Sequence, residues 1–361
     1  MALLRRITRA RLASQVIRRL RRAGVSDARY DAATFSVRFT APSDDVPTVM
    51  ELDGLLAARP GGRRRERRAR LDQFVAGFLR TPAVPADWPT ARRLLRPVLR
   101  GSTPLSADVT APLRRPVLPY LSEYVVIDRP DTMTYVSADQ LDGWGVSADT
   151  AFEAARANLS GAVLQGVAQE PTVVRFVDDG DAYWTSHLLL DGWLSRLAQQ
   201  VGGVPVAFAP ERGTLIVAAD RSAHLSELFA QVEHVYASSP RAITPMAYMS
   251  DERGRTVPYA APEGHPMHGC VQRAEAVLAV TEYARQATTL SPDAADIRVV
   301  GSEPEGWRTR AVWPRDEPAL LPRADEVLVG DTVRPWAEVE PHLTPMPGLD
   351  PPRWRGDAWP G

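Results

Sequence analysis

In 361 residues this chain carries 43 arginines and no lysine, which removes Schiff-base lysine chemistry, a Walker-type phosphate lysine and a Ser–Lys dyad. Its single cysteine, Cys270, excludes an intramolecular disulfide and an all-cysteine zinc site; 44% hydrophobic and 24% charged residues are ordinary for a globular protein of two or three domains. The net charge of −1 hides a division: residues 1–100 hold 22 arginines against 9 acids, and residues 101–361 hold 21 against 35. Near-cancellation favours docking of the two parts on each other, with an anionic partner for the basic part as the alternative.

The first element is a basic amphipathic helix. Leu3, Leu4, Ile7, Ala10, Ala13, Val16, Ile17 and Leu20 recur at helical spacing, eight arginines fill much of the rest, and Gly24 ends it. A helix docked on its own domain is preferred over one lying on a membrane. No separate apolar core with a cleavage site follows Met1, so no secretory signal is read and a cytoplasmic location is expected. Phe35, Val37 and Phe39 alternate with polar residues as a half-buried strand does, and a helix is expected over Val46–Ala58, broken by Arg59-Pro60-Gly61-Gly62. The next helix has an apolar stripe of Leu71, Phe74, Val75, Phe78 and Leu79. It is entered through Arg63, Arg64, Arg65, Arg67, Arg68 and Arg70, positive charge that opposes the helix dipole. Arg63, Arg64, Arg65, Arg67 and Arg68 are therefore candidate anion-binding residues.

From Leu94 short strands alternate with helices. Leu94–Leu99 and Tyr124–Ile127 read as strands, and Ser147 as the N-cap of a helix bearing Ala151, Phe152, Ala155 and Leu159. A strand over Val173–Val177 precedes a helix over Ser186–Val201. Val204–Phe208 and Leu215–Ala219 form a hairpin whose second strand lacks alternation and should lie centrally in its sheet. A helix with Leu225, Leu228, Phe229, Val232 and Tyr236 inward leads to a second hairpin, Ile243–Met249 with Thr256–Tyr259, and to a helix over Val271–Gln286. Residues 302–361 hold 11 of 32 prolines and five of nine tryptophans, read as an ordered extended arm over the protein's own surface or another subunit. Together these elements predict an α+β protein: a mixed, hairpin-containing sheet with packed helices, a basic N-terminal region (1–101), an α+β core (102–262) and a helix plus Pro/Trp-rich extension (263–361).

Several stretches, taken in order, resemble an uncharacterised bacterial domain-of-unknown-function family typified by the YtpQ protein of Bacillus. They are Arg96-Pro97-Val98-Leu99-Arg100-Gly101-Ser102, Val125-Val126-Ile127-Asp128 followed by Trp144, Ala154-Ala155-Arg156-Ala157-Asn158-Leu159, Asp179-Gly180, Pro210 with Leu215-Ile216-Val217-Ala218, and Ile243-Thr244-Pro245. The likeness spans residues 1–260 and leaves the extension unmatched. It implies no activity and no catalytic residue.

Candidate chemistry is sparse. His265, His268 and Cys270, with Glu263 nearby, are the only cluster of residue types that suits zinc, set against a plain polar loop with Cys270 buried as a small hydrophobe. Asp178, Asp179 and Asp181 could meet a hard cation but read as a turn. His187, His224, His234 and His342 stand isolated. The basic region has no aromatics interleaved for base stacking, so nucleic acid is not the expected partner. The expected function is a cytoplasmic binding or scaffold protein without catalytic activity or cofactor, meeting another protein or itself through the C-terminal arm. The alternatives are a metal-dependent hydrolase using the 263–270 loop, and an arginine-mediated binder of nucleic acid or an anionic surface.

Overall fold

Strand pairing joins the basic N-terminal region to the sequence that follows it. The computed structural model describes residues 2–32, 34–40, 47–52, 68–69, 71–72, 74–76, 84–102, 112–129, 132–162, 165–177, 182–239, 241–290, 292–314 and 317–359. Strands β1 (Arg29–Asp31), β2 (Ser36–Thr40), β3 (Pro47–Glu51), β4 (Leu95–Gly101), β5 (Arg114–Leu118), β6 (Leu121–Arg129) and β7 (Thr132–Tyr135) form one sheet in the order β1-β2-β3-β7-β6-β4, with β5 also paired to β6. The boundary expected after residue 101 therefore cuts through a single sheet, because β3 pairs with β7 and β4 with β6. The helix expected over Val46–Ala58 is corrected too: β3 occupies its first part, since Val49 and Met50 complete the pairing of β2, and residues 53–58 lie outside the described set.

Helix α1 (Ala2–Arg22) buries Ala13, Val16 and Leu20 against Phe35, Val37 and Phe39. Leu71 and Val75, on a helical stretch, close the same core as their spacing predicts. The other half of this sheet face is covered by α3 (Ala138–Trp144), which carries a Ser137/Gln140 capping box, and α4 (Ala148–Ala157), capped by Ser147. Between them in sequence and β3 comes α2 (Trp88–Leu94), started by Asp87, whose carboxylate accepts from the Thr90 amide.

The second sheet is antiparallel throughout, ordered β12-β11-β9-β10-β8 from β8 (Val173–Val177), β9 (Pro205–Glu211), β10 (Thr214–Ala219), β11 (Ala247–Ser250) and β12 (Thr256–Pro258). β10 lies inside it and is buried from Leu215 to Ala219, as its unbroken apolar run requires. Phe208 meets Phe229 of α6 (Leu225–Ser238) on one face. On the other, Phe176 packs on Trp184 and Trp193. The single helix expected over 186–201 is instead two 3₁₀ turns, Trp184–Leu189 and Ser195–Leu197, and the short α5 (Ala198–Val201). Gly192, at φ 70°, interrupts the helical run between them.

Helix α7 (His268–Ala287) belongs to two cores at once. Val271, Ala274 and Leu278 pack against the second sheet, while its far end meets the C-terminal strands. Those strands revise the expected arm. β13 (Ile297–Ser302), β14 (Gly306–Trp313), β16 (Glu326–Val329) and β17 (Thr332–Pro335) form one sheet, and β15 (Ala319–Pro322), β18 (Thr344–Met346) and β19 (Arg353–Gly356) another. They close a core of Ala311, Trp313, Leu321, Val327, Trp336 and Val339. The prolines fall largely at strand ends and turns, where a missing amide is tolerated. Trp313 and Trp336 are buried; Trp307, Trp354 and Trp359 are half-buried. The fold is α+β, and among the described residues no helix is long and apolar enough to cross a membrane.

Candidate functional site

The candidate metal ligands His265, His268 and Cys270 are not brought together as a trio. His268 opens α7 and its Nδ1 contacts the Ala261 carbonyl at 2.8 Å, whereas His265 Nδ1 accepts the Met267 amide at 3.1 Å. His268 and Cys270 are two residues apart on a helix and so point about 200° apart. Burial and the charge of Glu303 push the Cys270 thiol up, away from the thiolate a metal would need. Among the described residues no group of three His, Cys, Asp or Glu side chains could hold a metal ion. Of the arginine run, Arg63, Arg64, Arg65 and Arg67 lie outside the described residues and Arg68 is exposed; Asp178, Asp179 and Asp181 are also outside.

The polar chemistry of the fold concentrates at its seams. On β6, inside the run Leu121-Ser122-Glu123-Tyr124-Val125, the Glu123 carboxylate is fully buried under α4. Arg115 from β5 donates to it at 2.8 Å, and Arg156 from α4 donates to both oxygens at 2.8 and 2.7 Å. Arg115 also lies over the Phe152 ring at 4.1 Å. At another seam, Arg353 of β19 is 1% exposed. Its guanidinium donates to Gln286 Oε1 at 2.6 Å and to the carbonyls of Leu320 and Tyr283 at 2.8 and 3.0 Å, with Ala295 at 3.3 Å. A third seam joins β4 to α7: a Cβ on Gly101 would lie 2.6 Å from the fully buried Glu282 carboxylate, which pairs with Arg285.

Between the two large sheets the chain passes the edge of β4, where Asn158 donates to the carbonyls of Arg92 and Leu95 at 2.7 and 2.9 Å. Beyond it, Tyr183 holds a left-handed backbone at φ 50° and packs against Val98, Tyr124, Val126 and Tyr135. Its hydroxyl bonds Asp128; burial and that carboxylate raise the phenol's pKa. Buried Arg100 crosses the same cluster, donating to Tyr135 Oη at 3.3 Å and to its neighbour's carbonyl, Leu99 O, at 2.7 Å.

The Tyr183 carbonyl also fixes His187. The imidazole is fully buried between Trp184 and Trp193, with ring centroids 5.1 and 5.0 Å away. Nδ1 is 3.1 Å from Tyr183 O, so it carries the proton, and Nε2 faces Ser160 Oγ at 3.4 Å. This is the donor arrangement of a nucleophile and base. The serine also closes its own turn, since Oγ accepts the Ala162 amide at 3.2 Å, and Trp193 Nε1 anchors the same turn through Ala162 O at 2.8 Å. The pair therefore pins the 158–162 linker to the second sheet.

No local spacing marks Arg156 as the partner of Glu123, Ser160 as that of His187, or the acceptors of Arg353, because these contacts join residues 27 or more positions apart. Glu123 alone left a trace, as a lone carboxylate in an apolar strand. No family model, no curated protein and no solved structure matches the chain.

Proposed function

We propose that this chain is a cytoplasmic binding or scaffold protein without catalytic activity of its own, and a diverged relative of the YtpQ-like family. One observation carries the reading: buried Glu123, Arg353 and His187, the groups at the seams that could do chemistry, are each engaged by internal partners. Glu123 is neutralised by two arginines, Arg353 is satisfied by four acceptors, and the Ser160–His187 pair closes a turn. Groups spent in this way join sheets into one body and leave recognition to the surface, as a scaffold requires. The half-buried indoles of Trp307 and Trp354 on the C-terminal sheets, and of Trp359 just after them, suit contact with another protein or a second copy.

The dyad is the place where this reading can be overturned. A fluorophosphonate probe should leave the native protein unlabelled, and Ser160→Ala should change nothing in that assay. Labelling that maps to Ser160 and disappears in Ser160→Ala and in His187→Gln would make the protein a serine hydrolase.

A further inference from the structure

We infer that the outer face of α1 is a docking surface for the phosphate backbone of duplex nucleic acid. Taken at 100° per residue, Arg11, Arg18 and Arg22 fall on one stripe of this helix, opposite the stripe of Ala13, Val16 and Leu20 that enters the core. The stripe runs about 16 Å along the axis. Arg11, Arg18, Arg21 and Arg22 are exposed and form no ion pair among the described residues. The helix itself contains no Asp or Glu to neutralise them.

Between Arg11 and Arg18 the surface is hollowed into an open depression of about 360 Å³, lined by Ala10, Arg11, Ser14, Gln15 and Arg18. Ser14 donates its hydroxyl proton back to the Ala10 carbonyl, so Gln15 supplies the neutral donor beside the two guanidinium groups. The floor is largely apolar with Gln15 as its neutral donor, and the rim is cationic at Arg11 and Arg18, which complements phosphate oxygens. Arg19 holds Asp72 of the neighbouring helical stretch, and exposed Arg68 stands one turn before Asp72.

Two other anionic partners fit less well. A membrane surface is bound by a helix that sinks its apolar face between headgroups, and the apolar face of α1 is already spent on the core. Single strands are held largely by stacking of bases on aromatic side chains, and α1 has none. A row of arginines on one helix face without aromatics matches a duplex backbone, read without regard to sequence. This inference goes beyond the scaffold reading by giving the scaffold an anionic partner, and it does not depend on the Ser160 assay.

The test is fluorescence anisotropy of a labelled duplex DNA of arbitrary sequence with the full chain, at a series of salt concentrations. Native protein should bind, with log K falling against log salt at a slope of about −3, as three neutralised phosphates dictate. Arg11→Gln/Arg18→Gln/Arg22→Gln should weaken binding at low salt at least about tenfold and flatten the slope by about 3. Arg298→Gln/Arg323→Gln, exposed on the C-terminal side, should leave both unchanged. An unaltered melting temperature confirms that the triple variant is folded, as expected for solvent-facing positions. Absence of binding at low salt, or equal binding and slope in the triple variant, overturns the inference. So does tighter binding to single-stranded RNA or to phosphatidylserine vesicles than to the duplex.

Discussion

At the seam beneath α4, Glu123 is enclosed with two guanidinium groups; at the seam between α7 and β19, Arg353 is enclosed with carbonyl and amide oxygens. The difference follows from donor and acceptor counts. A carboxylate only accepts, and in an apolar strand neighbourhood its charge must be met by opposite charge. A guanidinium has five donors spread over a plane, so neutral oxygens from several elements can satisfy it while its charge stays delocalised. Arg353 thereby gathers Tyr283 and Gln286 of α7, Ala295 of the following loop and Leu320 of β15 around one side chain, although burial pulls its pKa below the usual value. Counter-charge fixes one seam, and directional hydrogen bonding the other.

The largest effect should come from breaking the counter-charge. Glu123→Ala leaves two partly buried arginines facing an empty acceptor, and a loss of about 3–5 kcal/mol in guanidinium denaturation is expected. Glu123→Gln should recover part of it, because the amide oxygen still accepts. Arg353→Met removes donors but leaves no orphaned charge, and should cost about 2–3 kcal/mol. That loss should be local: limited proteolysis should open between residues 288 and 296 in Arg353→Met and not in Glu123→Ala. If the two variants lose equal stability and are cut at the same place, the seams do not differ in kind.

Much of the fold was legible because its signals are local. The stripes of α1 and α6, the Ser147 cap and the unbroken run of β10 each follow from spacing within a few residues. The 102 boundary divides one sheet because β3 and β4 pair with β7 and β6, 20 to 86 residues away, which no local pattern encodes; the 46–58 helix gave way to β3, which pairs with nearby β2 as well as with β7. The C-terminal prolines suggested an arm, and only the pairing of β15 with β19 shows why tryptophans sit among them: Gly356 lets Trp313 lie where a Cβ would meet its ring at 2.4 Å. Of the candidate site, the basic stripe on α1 was visible as composition, but that Arg11, Arg18 and Arg22 face outward with no ion pair among the described residues was not.

Alkaline pH probes the tyrosines that line these seams. Burial is the main cause pushing Tyr124 and Tyr236 up to about 12, and it raises Tyr120, Tyr183, Tyr248 and Tyr283 as well. In the unfolded chain phenols ionise near about 10. The unfolded state therefore gives up protons first, so the stabilisation is complete below about pH 10 and lost as pH rises through about 12. Tyrosinate absorbance should rise in step with the loss of circular dichroism. Ionisation of these six phenols near pH 10 with the fold intact would show the seams to be open to water.

The smallest effect expected is at Arg19 and Asp72, and it bears on how the basic region is held. The side chain of Asp72 is 61% exposed, so solvent screens the pair. A double-mutant cycle with Arg19→Ala and Asp72→Ala should give a coupling of about 0.2–1 kcal/mol, reduced further at high salt. Leu71, one residue away, is 5% exposed in the core beneath α1. Leu71→Ala should cost about 2–4 kcal/mol and be insensitive to salt. On these magnitudes, apolar contact holds the helical stretch to α1 and the ion pair only orients it. A coupling above about 2 kcal/mol would reverse that order and assign the basic region's docking to charge.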